Sequence, residues 1–331
     1  MEQNSPTSPL TPTSPQDGQR EDTHPLKTQR SRPYYKAEQI GELCALARGA
    51  MSESKEQQIR FQACYWIRSV GEHLRFPVRT MGTAMVLFHR FHLFYPMADH
   101  FVFSDTAAAC LFVACKMEDT QKKLREILLA SYQVRHPNGP EINIESQTLE
   151  DQRKRLIGLE RMVLETSCFD FRFRHPQRFI IKFARSMHLA TEVAKLAWDV
   201  SVDAYKTLLP LQYPPHVLAL SYLDLAVKLS GARAQSGMPD VRVDVADIEE
   251  VVDELLNLYI NYPAQTVTGN TYPTKMFLQL RIDLNRHRQP TRDSNGPSRQ
   301  YEHESADLEG PVNGTIGDKG TVQYILEAVS T

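Results

Sequence analysis

The chain has 331 residues, of which 41% are hydrophobic and 24% charged, with a formal net charge of −2. That is enough apolar material for about two buried cores, and the near-neutral balance gives no chain-wide electrostatic case for nucleic acid. The start, MEQNSPTSPL, has no basic and apolar leader pattern and no stretch approaches the roughly 18 apolar residues of a membrane span, so a protein neither secreted nor membrane-spanning is expected.

Residues 1–32 are rich in Ser, Thr, Pro and Gln and almost lack large apolar side chains, so burial cannot offset the entropy of ordering them and a disordered tail is expected. Ser5, Ser8, Thr11 and Ser14 each precede a proline. They suit a proline-directed kinase, although such steps are also common in solvated linkers. Residues 33–170 then read as one multi-helix unit preceded by an N-terminal helix. Ile59, Ala63, Trp66, Ile67, Val70 and Leu74 line one helical face, and Phe76-Pro77 ends it. A helix beginning at Pro77 carries Met81, Ala84, Met85, Phe88 and Phe91 inward. A buried helix follows from about Asp105, then one near Lys122–Tyr132, a polar insertion RHPNGPEIN, and one from Thr148 to Ser167.

After the linker RFRHP the pattern repeats over residues 171–285, with helices expected at Pro176–Met187, Thr191–Leu208, Pro215–Leu229, Val245–Leu258 and Thr274–Leu284. Residues 286–331 are polar and Gly-rich, a second expected disordered tail. Within it Val322, Ile325, Leu326 and Val329 have the spacing of a short groove-binding helix, which chance or weak packing also explains. No strand alternation stands out, so the fold class is all-α, two tandem multi-helix units.

Catalytic signatures are missing. There is no phosphate-binding glycine loop, HExxH, GxSxG or paired CxxC. Cys110 and Cys115 diverge by about 140° around a helix and cannot share a metal. His89 and His92 share a face without nearby carboxylate or thiolate ligands, which points to partly exposed structural roles. Neither a catalytic residue, a cofactor nor a metal is expected. Cys44, Cys64, Cys110, Cys115 and Cys168 are odd in number and lie in apolar runs, which fits a reducing compartment, cytosol or nucleus. The sequon Asn313-Gly314-Thr315 is then idle. The basic groups Arg172, Arg174, His175 and Arg281, Arg286, Arg288 are short enough to be solvated faces.

Charge placement is more informative. Nine apolar residues, Ala107–Cys115, run straight into Lys116, with Glu118 and Asp119 just beyond. Glu160 lies among Leu156, Ile157, Val163 and Leu164, so its own helix offers it no partner. Alone, Lys116 complements a helix C-terminus and Glu160 marks a core margin. Together they suggest a paired polar anchor inside an apolar interface.

These residues carry a family resemblance. AAACLFVACKMED, preceded by FHRFHLF and followed by QKKLREI and LERMVLETSCFDF, resembles the cyclin box, over about Lys36 to Leu284. The strings HLRFPVRTMGTAMVLFHRFHLF, HPQRFIIKFARSM and YPPHVLALSYLDLAVKL are most similar to the transcriptional T and K group, and within it to cyclin subunits of fungal kinases acting on the RNA polymerase II C-terminal domain. The resemblance implies two tandem five-helix cyclin-box repeats and a non-catalytic nuclear subunit that binds and activates a cyclin-dependent kinase in transcription elongation, with room for a third subunit and no direct nucleic-acid contact. It also implies that Lys116 and Glu160 contact the kinase, with Phe88, Leu111, Phe112 and Leu164 as neighbours. At the position of the exposed substrate-docking patch of cell-cycle cyclins this chain reads IRFQA, Ile59–Ala63, retaining only the arginine, Arg60, so docking there is not expected. The alternative is a general transcription factor of the TFIIB type, which uses cyclin-like repeats to bind promoter DNA. It predicts a basic face and a zinc ribbon that the sequence does not supply.

Overall fold

The computed structural model describes residues 34–97, 103–139, 147–232 and 243–287. The Ser/Thr-Pro steps, the sequon, the Val322–Val329 spacing, the two expected tails apart from Arg286 and His287, and the end of the polar insertion lie outside those residues. Among the described residues there are twelve α-helices, two short 3-10 turns and no strand.

The first repeat runs α1 (Ala37–Arg48), α2 (Glu53–His73), α3 (Val78–Phe94), α4 (Phe103–Met117), α5 (Leu124–Arg135) and α6 (Gln147–Thr166). Ser52 starts α2 by accepting the Lys55 N–H on its hydroxyl, and Glu53 and Glu56 favour the positive end of the helix dipole. The centre is α4, packed against α2, α3, α5 and α6. A helix enclosed on all those sides has no polar face to keep, which is why Ala107–Cys115 is apolar throughout.

The second repeat runs α7 (Gln177–Ser186), α8 (Thr191–Ala204), α9 (Pro215–Ser230), α10 (Val245–Asn261), α11 (Val267–Thr271) and α12 (Thr274–His287). Its centre is α9, against α7, α8 and α10. The short α11 has no counterpart in the sequence reading, because VTGNT carries no apolar period. A tertiary contact makes it: the buried carboxylate of Asp203 accepts the N–H groups of Val267 and Thr268, both at 2.9 Å, while receiving Lys206 Nζ at 2.9 Å.

The two cores interlock. Tyr205, at the end of α8, belongs to the first core, and Phe61, on α2, belongs to the second. Gly82 makes this possible, since a Cβ there would stand 2.7 Å from the Tyr205 ring. The Tyr205 carbonyl accepts from His89 Nε2 at 3.0 Å, and the other ring nitrogen, Nδ1, faces Arg60 Nη1 at 3.4 Å. His89 and His92 are therefore buried rather than partly exposed. Burial first, and the Arg60 charge second, push both imidazoles down to about 3, so they stay neutral. Arg60 is itself buried, donating from Nε and Nη2 to Glu56 Oε1 at 3.0 and 2.7 Å and to the His92 carbonyl. The one arginine kept from the cell-cycle docking patch is thus a core residue here.

Candidate partner-binding site

Lys116 stands one residue before the C-terminus of α4, where the helix leaves the bundle interior. Its Nζ donates to Glu160 Oε1 on α6 at 2.6 Å and lies 3.9 Å from the centre of the Phe112 ring, one turn back on its own helix. The ring face attracts the ammonium while the carboxylate fixes its direction. The Lys116 side chain is 46% exposed and that of Glu160 18%. The pair therefore lies at the surface, open on the lysine side, and in the free chain contributes only about 0–1 kcal/mol.

Of the other expected contact residues, Phe112 and Leu164 are half-buried and rim the pair, but Phe88 and Leu111 are fully enclosed in the first core. Those two cannot meet a partner directly. They back the site, Phe88 packing its ring edge against His92. Ile157, three residues before Glu160, is 45% exposed and extends the apolar rim. The sequence signal for it was an apolar residue beside Glu160, but periodicity alone reads such a residue as core.

The lysine is held on a fixed backbone. Just beyond α4, Glu118 receives the Thr83 hydroxyl at 2.7 Å, faces His175 Nε2 at 3.0 Å and pairs with Arg79 Nε at 3.5 Å, while Arg79 also donates to the Glu118 carbonyl. Burial alone would raise this carboxyl. The hydrogen bonds from His175 and Thr83 and the charges of His175 and Arg79 outweigh it and hold the carboxyl below its usual range. His175 Nδ1 in turn lies 2.7 Å from the Tyr205 hydroxyl, tying the end of α4 through the linker to the second repeat. Glu118 and His175 were visible in the sequence only as separate charges 57 residues apart. Among the described residues no three His, Cys, Asp or Glu side chains gather as metal ligands, and no helix is long and apolar enough to cross a membrane.

Residues 34–172 match the family model described as cyclin, N-terminal domain. Over 269 residues the chain is 40% identical to the CTD kinase subunit beta of Schizosaccharomyces pombe, covering 80% of this chain and 78% of that protein. The chain belongs to the cyclin family. This cyclin is also 31% identical over 235 residues to cyclin-T1-3 of Oryza sativa, covering 68% of this chain and 48% of the relative. To human cyclin-K it is 28% identical over 226 residues, 63% of this chain and 38% of the relative. Its shape matches a chain of the yeast RNA polymerase II CTD kinase CTDK-1 complex with a TM-score of 0.70 at 25% identity, covering 84% of this cyclin and 97% of that chain.

Proposed function

We propose that this cyclin is the non-catalytic regulatory subunit of a cyclin-dependent kinase that phosphorylates the RNA polymerase II C-terminal domain, acting in the nucleus to promote transcription elongation. The 40% identity to a CTD kinase subunit beta along most of both chains supports the kinase class, and the match to a chain of the CTDK-1 complex supports a place in a kinase assembly, where a third subunit has room. The observation that carries the mechanism is the open Lys116–Glu160 pair on its Phe112 platform.

An ammonium has three N–H donors and Glu160 takes one, so Lys116 keeps donors for acceptors at the end of a kinase helix. Phe112, Leu164 and Ile157 offer the apolar rim that would exclude water once the partner docks. An active kinase needs its regulatory helix rotated inward so that a glutamate reaches the ATP-binding lysine. A bundle face whose α4 end is pinned at Glu118 is rigid enough to hold that helix there. This cyclin supplies no catalytic group. Its contribution is the population of the active kinase conformation.

The test is co-expression with the kinase that co-purifies, followed by phosphorylation of a Tyr-Ser-Pro heptad-repeat peptide. Lys116→Ala with Glu160→Ala is expected to lower both kinase recovery and peptide phosphorylation at least tenfold while leaving the helical content unchanged. Undiminished activation by the double variant would overturn the reading.

A further inference from the structure

A helix of the second repeat carries charge that no ion pair among the described residues uses. QRFIIKFARS, the sequence of α7, contains no acidic residue. It turns Ile180, Phe183 and Ala184 into the second core and leaves Arg178, Ile181, Lys182 and Arg185 exposed, at i, i+3, i+4 and i+7. Among the described residues the ion pairs within the second repeat join Lys206 to Asp203, Lys228 to Asp224, Arg281 to Asp253 and Arg286 to Asp283, leaving those three cations out. Arg178 only overlies the ring of its neighbour Phe179, at 5.0 Å. Arg174, also exposed, stands four residues ahead of Arg178 and lines a cleft between the repeats together with Tyr34. Tyr34 is the first described residue, so the described chain begins at the cleft where the basic stripe starts. The Arg174 charge already acts on the Tyr34 hydroxyl, opposing the burial that pushes it up to about 12.

The 33 residues ahead of Tyr34 hold Glu2, Asp17, Glu21 and Asp22 against Arg20, Lys27, Arg30 and Arg32, a balance of zero that gives the stripe nothing to attract. Their Ser/Thr-Pro steps change that. Transfer of the γ-phosphoryl group of ATP to a Ser or Thr hydroxyl oxygen, with release of ADP and the hydroxyl proton, adds about −1.5 to −2 charges per site. Sites three residues apart stand at most about 10 Å from each other in an extended chain. Arg178 to Arg185 spans about 10 Å along a helix. The 20 residues from Ser14 to Tyr34 can extend to roughly 65 Å, so the sites reach the stripe freely.

We propose that the exposed face of α7 is a docking site for this chain's own N-terminal segment after phosphorylation at Ser5, Ser8, Thr11 and Ser14, with Arg178, Lys182 and Arg185 binding neighbouring phosphates and Arg174 guiding the approach. Guanidinium groups bind phosphate through paired N–H donors, and tethering raises the local concentration of the segment far above that of a free competitor. The proposal requires only a proline-directed kinase and does not depend on the partner assigned above.

The test uses the full chain, phosphorylated in vitro by a proline-directed kinase, beside a Ser5, Ser8, Thr11, Ser14→Ala variant with a vacant stripe. A fluorescent peptide of residues 1–18 bearing the four phosphates is expected to bind the alanine variant at least tenfold more tightly than its unphosphorylated form. Adding Arg178→Gln, Lys182→Gln and Arg185→Gln should remove at least tenfold of that affinity with helical content unchanged, while Lys55→Gln, Lys122→Gln and Lys154→Gln should alter it less than twofold. The phosphorylated full chain, its stripe filled in cis, should bind the peptide at least tenfold more weakly and show slowed hydrogen exchange across α7. Equal peptide binding by the phosphorylated and alanine chains would overturn the proposal, as would a single-stranded RNA that occupies the stripe more tightly than the phosphopeptide.

Discussion

The central helices of the two repeats, α4 and α9, are built alike and end differently. Both are apolar and enclosed, and both place a lysine in the last turn, where it opposes the negative end of the helix dipole. In α9 that lysine, Lys228, reaches back to Asp224 on its own helix at 2.5 Å, and Gly231, at φ 66°, closes the helix in the left-handed region. In α4 the residue four before Lys116 is Phe112, so the charge must cross to Glu160 on α6. A lysine satisfied locally is part of a solvated surface. A lysine satisfied across two helices over an aromatic ring is preorganised for the recognition role proposed above, and among the described residues only the first repeat has one.

The largest expected effect concerns the seam that lets the second repeat brace the first. Tyr205→Ala should cost about 3–5 kcal/mol in chemical denaturation, as removal of a packed aromatic side chain does. Tyr205→Phe, which keeps the ring and loses only its hydroxyl contacts with His175 and Gln177, should cost about 1 kcal/mol. Independent repeats would instead show two separate transitions and little response to either variant.

Next comes the contrast of the two lysines in kinase binding. Lys116→Ala and Glu160→Ala should each weaken the complex by about 2–5 kcal/mol, the cost of stranding a partner group that docking has desolvated. Lys228→Ala should change neither binding nor stability by more than about 0.5 kcal/mol. Titration calorimetry on the three variants reads this directly, and equal effects from Lys116 and Lys228 would erase the distinction between the repeats.

Acid should separate the repeats as well. His89 and His92 are held near 3 in the folded chain against an ordinary 6.5, so between those values the unfolded chain binds more protons. Stability therefore falls as pH drops below about 6.5, on the order of 2 kcal/mol per ring by pH 5. Both rings are on α3, whereas His188 and His216 of the second repeat are not buried. Hydrogen exchange at pH 5 should show α2 and α3 losing protection before α8 and α9. Such local opening precedes the single global transition, and earlier loss in α8 and α9 than in α2 and α3 would mean that the buried rings do not set the acid sensitivity.

Eleven of the twelve α-helices, their order and approximate extent, and the pairing of Lys116 with Glu160, were legible because they depend on local period and on a charge that its own helix could not satisfy. The residues read less well were those whose environment is made by distant chain. Phe88 and Leu111 carried the same apolar signature as Phe112 and Leu164, and periodicity places a side chain on a helix face without saying what covers that face. His89 looks like a surface polar residue until the Tyr205 carbonyl, 116 residues later, arrives to meet it, and Arg60 until His89 and the His92 carbonyl enclose it. The helix α11 exists because Asp203, over sixty residues earlier, accepts its first N–H groups.

By itself, then, the amino-acid sequence determined an all-helical chain with two repeats, cyclin-type motifs and one lysine in search of a carboxylate. These features follow from spacing along the chain, and spacing is a local quantity. Tertiary structure alone decided which apolar residues are core and which are rim, that Glu118 and His175 pin the end of α4, and that α7 turns three cations to solvent outside the ion pairs of its repeat. Burial and pairing are properties of what comes to lie beside a residue, and that neighbour is set by the packing of the whole bundle.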